Sequence, residues 1–330
     1  MRFLVGNNLK RAHHYVWQHY LHAWANDNQQ IYCYDKNQDK SYVTNTKNTA
    51  QQKDFYQLND LTVEDLFYIK SLACINKTTQ PEMKESLSSW NQIYEMLFAI
   101  QKLLKLSKNS KNGESQILEL LTNKLQFETI ENFHCIFEDI GIKYLDLIRE
   151  KDLSFFDNPK SKNEFFLFLS MQYVRTEKMQ SNIRQTMSKD GKNDIALQKA
   201  FGTLVNPISA TIDNHWNLIS CNYAVSYSRE ISNHSVILLV NNSGTDFITS
   251  DQPVINTDSL SNPITKLDFY YPVSPRLAIL VFDNSANKLN NPVQELSDKE
   301  VTQYNDLMVS ISSKFIYSHQ EQINCKEKSL

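Results

Sequence analysis

Three short stretches of this chain gather the side-chain types that move protons and hold phosphate. The first, Ala12-His13-His14-Tyr15-Val16-Trp17-Gln18-His19-Tyr20-Leu21-His22-Ala23-Trp24, packs four of the eight histidines and two of the four tryptophans into thirteen residues. The second, Gln172-Tyr173-Val174-Arg175-Thr176, sets an arginine just after the apolar run Phe165-Phe166-Leu167-Phe168-Leu169. The third, Thr249-Ser250-Asp251-Gln252-Pro253, puts a hydroxyl and a carboxylate where a strand meets a turn, a place where rigid elements display functional groups.

Each residue has a catalytic reading and a structural one. His14 titrates near neutrality and suits general acid or base work; equally, its ring can anchor backbone. Arg175 offers a planar fork for a phosphate or carboxylate, but an arginine beside so apolar a run needs a partner, and an ion pair with Asp251 would satisfy it. Asp251 can orient the His14 ring, and Ser250 can act as a nucleophile only if a base reaches it. The alternative is a Ser or Asx turn closing on backbone before Pro253. No G-x-S-x-G elbow surrounds Ser250, which lowers the acyl-hydrolase reading. The catalytic candidates are therefore His14, Arg175 and Asp251, with Gln18, Gln172, Ser250 and Tyr15 positioning substrate. His13, His14, His19 and His22 come without an HExxH pattern or paired carboxylates, so neither a metal nor another cofactor is expected.

Composition narrows the classes. Thirty-four Lys and Arg against 37 Asp and Glu leave a formal charge of −3, so there is no global basic field for nucleic acid. Lys102, Lys105, Lys108 and Lys111 are a local exception, either a solvated helix end and loop or a phosphate contact. Five dispersed cysteines without a CxxC pair argue against structural zinc and a disulfide framework, and reduced thiols suit the cytoplasm. Met1-Arg2-Phe3-Leu4-Val5-Gly6 is too short an apolar segment for a signal peptide. With no run of about 18 apolar residues, no membrane span is expected.

The elements that must position these groups follow from periodicity. Trp17, Tyr20, Leu21 and Trp24 recur at i, i+3, i+4 and i+7, which predicts a helix from Tyr15 to Trp24 with His14, Gln18 and His22 on a neighbouring stripe. Gln30–Asp35 and Ser41–Thr44 flank a polar loop and read as a hairpin, with a third short strand at Asp54–Leu58. Thr62-Val63-Glu64-Asp65 starts a helix, and Pro81 opens another. Further helical patterns cover Glu114–Asn123, Glu128–Asp139, Lys160–Met187 and Ser209–Arg229, with a turn at Ser188–Asn193. Strands are expected at Ser235–Val240, Asp246–Thr249, Leu267–Tyr271 and Leu277–Phe282, then a last helix from Asp298 to Ile316 and a frayed tail, Glu321–Leu330. The fold class is α+β in one domain, 1–330. An N-terminal helix and hairpin (1–60) and the C-terminal strands and final helix (233–330) supply one antiparallel sheet, and an all-helical middle (61–232) packs on it.

Five stretches resemble one bacterial family, domain-of-unknown-function family 4238, whose hallmark is an N-terminal His-Tyr-Val-Pro. Here it reads His14-Tyr15-Val16-Trp17, followed by Tyr32-Cys33-Tyr34-Asp35. Gln172-Tyr173-Val174-Arg175-Thr176 resembles the family's Gln-x-x-Arg-Thr helix. Phe247-Ile248-Thr249-Ser250-Asp251-Gln252-Pro253 resembles its Ser-Asp-x-Pro turn, and Tyr271-Pro272-Val273-Ser274-Pro275 its following strand. The resemblance ranks these residues; it implies no established reaction. The leading expectation is a metal-independent hydrolase or nuclease acting on a phosphodiester, with RNA preferred. The alternatives are a non-catalytic module that binds a nucleotide or a protein, and a purely structural polar cluster.

Overall fold

A computed structural model describes residues 9–66, 69, 81–107, 114–190, 208–261, 264–283 and 292–321. Lys108 and Lys111, the end of the turn at Ser188–Asn193, the first eight residues and the tail beyond 321 lie outside the described residues. The chain divides into two compact units. Unit 1 comprises Met1–His13, Gln52–Cys135 and Gln180–Asn222; unit 2 comprises His14–Gln51, Ile136–Met179 and Tyr223–Leu330.

Unit 2 contains two sheets. In the first, of four strands, the hairpin β2 (Gln30–Asp35) and β3 (Lys40–Asn45) meets C-terminal strands β11 (Phe315–Ser318) and β6 (Thr249–Ser250), in the order β3-β2-β11-β6 with antiparallel neighbours throughout. This is the expected union of N-terminal hairpin and C-terminal strands. The second sheet, of five strands, has the order β10 (Val293–Leu296), β5 (Ser235–Asn241), β9 (Leu277–Phe282), β8 (Phe269–Ser274), β7 (Ile255–Asn256). Only its β10–β5 pair is parallel. Two short strands, β1 (Ala12–His14) and β4 (Gln51–Lys53), pair separately.

Tyr34 and Ile316 stand opposite one another on one face of the four-stranded sheet, with Ile316 also opposite Ser250. There they join a core with Ile237, Tyr270, Met308 and Ile311. Because side chains alternate along a strand, Cys33 and Tyr317 project from the opposite face. In register, Tyr42, Cys33, Tyr317 and Thr249 form one row across all four strands.

The helical middle is α2 (Pro81–Ser107), α3 (Glu114–Arg149), α4 (Pro159–Val174), α5 (Glu177–Asp190) and α6 (Ile208–Glu230), and α7 (Asp298–Ile311) follows the strands. Two patterns expected as separate helices, Glu114–Asn123 and Glu128–Asp139, belong to the single helix α3. Conversely, the expected Lys160–Met187 helix breaks at Arg175-Thr176. Arg175 ends α4 with ψ −8°, and the Thr176 hydroxyl accepts from Met179 N at 3.5 Å as a cap for α5. The final helix stops at Ile311 rather than Ile316, and Phe315–Ser318 becomes β11, the strand that joins the hairpin to β6.

The N-terminal segment also departs from expectation. His14 lies in β1, and only Gln18–Leu21 is α-helical (α1), followed by a 3₁₀ turn at His22–Trp24. His14, Gln18 and His22 are therefore no helical stripe. Tertiary contacts set this path. Tyr20 Oη donates to Pro272 O at 2.8 Å, so at 2.7 Å it accepts from Thr249 Oγ1, and its ring stacks on Tyr271. Trp24 Nε1 donates to Phe247 O at 2.8 Å. Trp17 has φ −60°, a value that proline also adopts, so tryptophan enters the turn on a path open to either residue. Asp54 at φ +60° turns the chain where a third strand was expected; the strand is one step earlier, in β4.

In unit 1 the ring of Tyr56 lies between His134 and Trp216, and Trp90 packs edge-on to Tyr94 and Phe133. A helical turn at 63–66 begins as expected: Thr62 N and Oγ1 donate to Asp65 Oδ2, and Asp65 N donates back to Thr62 Oγ1.

Candidate functional site

Arg175, His14 and Asp251 all lie in unit 2, and each is committed to holding backbone or a fixed partner. Arg175 is 1% exposed. Its Nη1 donates to Glu138 Oε1 at 2.5 Å, and its Nη2 donates to the main-chain carbonyl of His14 at 2.6 Å. The expected partner Asp251 is replaced by Glu138 on α3, a residue to which no motif drew attention. The guanidinium does meet the His-Tyr-Val-Trp stretch, but at its backbone.

The His14 ring points to the 3₁₀ turn at Thr46–Asn48. Nε2 lies 3.2 Å from Lys47 O, and because a carbonyl only accepts, that nitrogen carries the proton. Gln18 reaches the same turn, its Nε2 donating to Thr46 Oγ1 at 3.4 Å. The neighbouring His13, in unit 1, takes the structural histidine role in full. Its Nδ1 accepts from Tyr56 N at 2.8 Å, its Nε2 meets Lys10 O at 3.0 Å, and burial pushes its pKa down.

Asp251 does not orient His14. Its Oδ1 accepts from Ser313 N at 2.9 Å and its Oδ2 from Lys314 N and Phe315 N at 2.6 and 3.0 Å, while its own N donates to Phe315 O. Burial pushes its pKa up, and the three amide bonds pull it back. This carboxylate starts β11 after α7 ends. Ser250 is fully buried; its Oγ donates to Gln252 O and accepts from Gln252 N, both at 3.0 Å, and touches Met308 Sδ. That is a serine turn, with no base in its bonding shell.

The second and third motifs interlock through residues that were not singled out. Gln252 accepts from the Thr176 hydroxyl and donates to Tyr173 O at 3.0 Å and Val254 O at 2.9 Å. The Ser-Asp-Gln-Pro turn is thus tied to the α4–α5 break. Gln172 is 2% exposed, and its Nε2 reaches no partner at hydrogen-bond geometry.

Unit 2 also holds a pocket of about 90 Å³ whose walls include Tyr15, Cys33, Tyr42, Asn48, Phe315 and Tyr317. Three of the wall segments are held by motif residues. Arg175 holds the carbonyl next to Tyr15, whose N donates to Ala50 O, and Ala50 lines the pocket at φ +50°. His14 holds the turn that leads into Asn48 and Thr49, both in the wall. Asp251 holds the start of the strand that carries Phe315 and Tyr317.

Burial pushes the Tyr15 and Tyr317 phenols up and raises the Cys33 thiol to about 11, so all three keep their protons at neutral pH. The two phenols sit close enough to act on one another, and Tyr317 is fully buried. Of the pocket residues, sequence reasoning reached Tyr15 and Cys33. It missed Phe315 and Tyr317, whose aromatic and β-branched alternation after Ser312-Ser313 was the available strand signal.

Among the described residues no three His, Cys, Asp or Glu side chains gather as metal ligands, and no helix is long and apolar enough to cross a membrane. No curated protein and no solved structure matches the chain. A family described as Protein of unknown function (DUF4238) matches residues 12–322, from β1 to beyond β11. On that coverage, the chain belongs to the DUF4238 family.

Proposed function

We propose that unit 2 is a small-ligand binding module in which His14, Arg175 and Asp251 are positioning residues for the pocket at Tyr15, Cys33 and Tyr317. The observation that carries this is the engagement of Asp251 by three consecutive amides, Ser313 to Phe315, at the strand that forms one wall. A carboxylate used in this way has little left to orient a histidine. Arg175, held by Glu138 and the His14 carbonyl, is likewise spent on the fold. Phosphodiester hydrolysis with RNA as substrate has no comparable observation behind it.

The test pairs stability with activity. Arg175→Ala leaves Glu138 buried without its cation and removes the clamp on residue 14, which costs about 3–5 kcal/mol by analogy with broken buried ion pairs. His14→Ala costs about 1 kcal/mol, the worth of one exchanged hydrogen bond. Wild type, incubated with RNA, leaves it intact. A wild type that cleaves RNA, together with a His14→Ala or Arg175→Ala protein that melts normally and no longer cleaves, would replace this reading with the hydrolase.

A further inference from the structure

We propose that the Tyr15–Tyr317 pocket receives a small organic cation, an alkylammonium head group, and rejects phosphate. This rests on the binding role proposed above and names its ligand class.

None of the residues lining the pocket carries a charge, and four of them, Tyr15, Tyr42, Phe315 and Tyr317, are aromatic. Behind that lining lie charges of both signs. Asp251 and Glu177 act on the Tyr15 phenol, Asp251 acts on Tyr317, and Asp35 and Asp251 act on the Cys33 thiol; Lys314 opposes them at Cys33, and Lys36 and Lys178 act on Asp251. An anion entering the pocket finds no lining cation to pair with. A cation meets attraction from the carboxylates and from aromatic quadrupoles, the combination that holds quaternary ammonium groups elsewhere.

The protein carries its own precedent beside the pocket. The Lys314 ammonium sits 4.5 Å from the Phe315 ring centroid and 4.0 Å from Asp35 Oδ2. Rings of the same kind line the pocket itself. The buried Tyr317 Oη, beside the Tyr15 phenol, is an oxygen in the wall that can accept from an N–H or a polar substituent of the ligand. At about 90 Å³ the pocket has room for a head group rather than a whole nucleotide.

The experiment is a titration of the full chain with three probes, read by calorimetry and by tyrosine ring resonances. The probes are choline, its carbon analogue with a tert-butyl group in place of trimethylammonium, and inorganic phosphate. Choline is expected to bind and to shift the Tyr15, Tyr42 and Tyr317 rings, with the carbon analogue weaker by about tenfold. Tyr42→Leu, at an edge-strand position that is 37% exposed, is expected to weaken choline several-fold with an unchanged melting temperature. Equal binding of the carbon analogue, or ring shifts caused by phosphate, would overturn the cation while leaving a ligand pocket. No ring shift from any probe would overturn both the cation and the pocket's binding role.

Discussion

Among the described residues several ionisable side chains are buried, and the bonds of the carboxylates set what acid does to the fold. Asp65 in unit 1 is 1% exposed. Burial pushes its pKa up, but hydrogen bonds from His215 Nε2 at 2.9 Å and from Thr62 outweigh that, and the folded-state value lies below the usual carboxylate range. A depressed carboxylate contributes stability above its unfolded pKa of about 4, and loses it as pH falls through the lowered folded value. Urea unfolding across the acid range should therefore show a downward slope in stability below about pH 4 that Asp65→Asn reduces. An unchanged slope in the variant would mean that other carboxylates carry the acid response. At this scale the sequence was legible as residue type and location but not as pairing. Arg175 was recognised as needing a partner, yet Glu138 lies 37 positions away on an unremarkable helix. Only the fold brings it within reach.

Helices and strands explain why the expected site geometry changed. Arg175 was placed on a continuous helix with Gln172; the break at Arg175-Thr176 makes it a helix end, which lets its side chain meet the His14 carbonyl while Thr176 takes Gln252. Periodicity could not show this break, because polar and apolar residues continue in helical spacing on both sides. The end of α7 was misplaced for a related reason: Ser312 and Ser313 are weak stop signals, and the true stop is tertiary. Lys36 Nζ donates to Val309 O and Ser312 O, both at 2.9 Å, and Lys178 donates to Ile311 O, so two lysines cap the last carbonyls. The capping box of Ser297 and Glu300 at the other end is local, and the expected start at Asp298 was right. Where α3 and α4 meet within unit 2, an added Cβ on Gly141 would lie 2.2 Å from Phe168 Cε2. Gly141→Ala is accordingly expected to destabilise by about 1–3 kcal/mol, as overpacking does, despite alanine's better helix propensity. Equal or higher stability in denaturant would show that Phe168 gives way at no cost.

For the whole molecule, the α+β class, with antiparallel strands and a large helical middle, was readable from the change of period along the chain. The path of β11 was not, and with it went half of the pocket. The three stretches singled out in the sequence meet within unit 2 through bonds that hold backbone and fixed partners. Conserving stability and shaping a pocket are the same task here, since Arg175, His14 and Asp251 each fix a segment that contributes a wall.

Amide hydrogen exchange at Ser313, Lys314 and Phe315 in wild type and Asp251→Asn tests that claim most directly. Asparagine keeps the shape but loses the charge and one accepting oxygen. The account predicts that these three amides exchange about tenfold faster or more relative to those of β5 and β9, since a bond to a charged acceptor is worth about 1.5–3 kcal/mol. It further predicts a weaker choline affinity in the same variant. Unchanged protection at the three amides would contradict it and return Asp251 to the list of groups that act on a substrate.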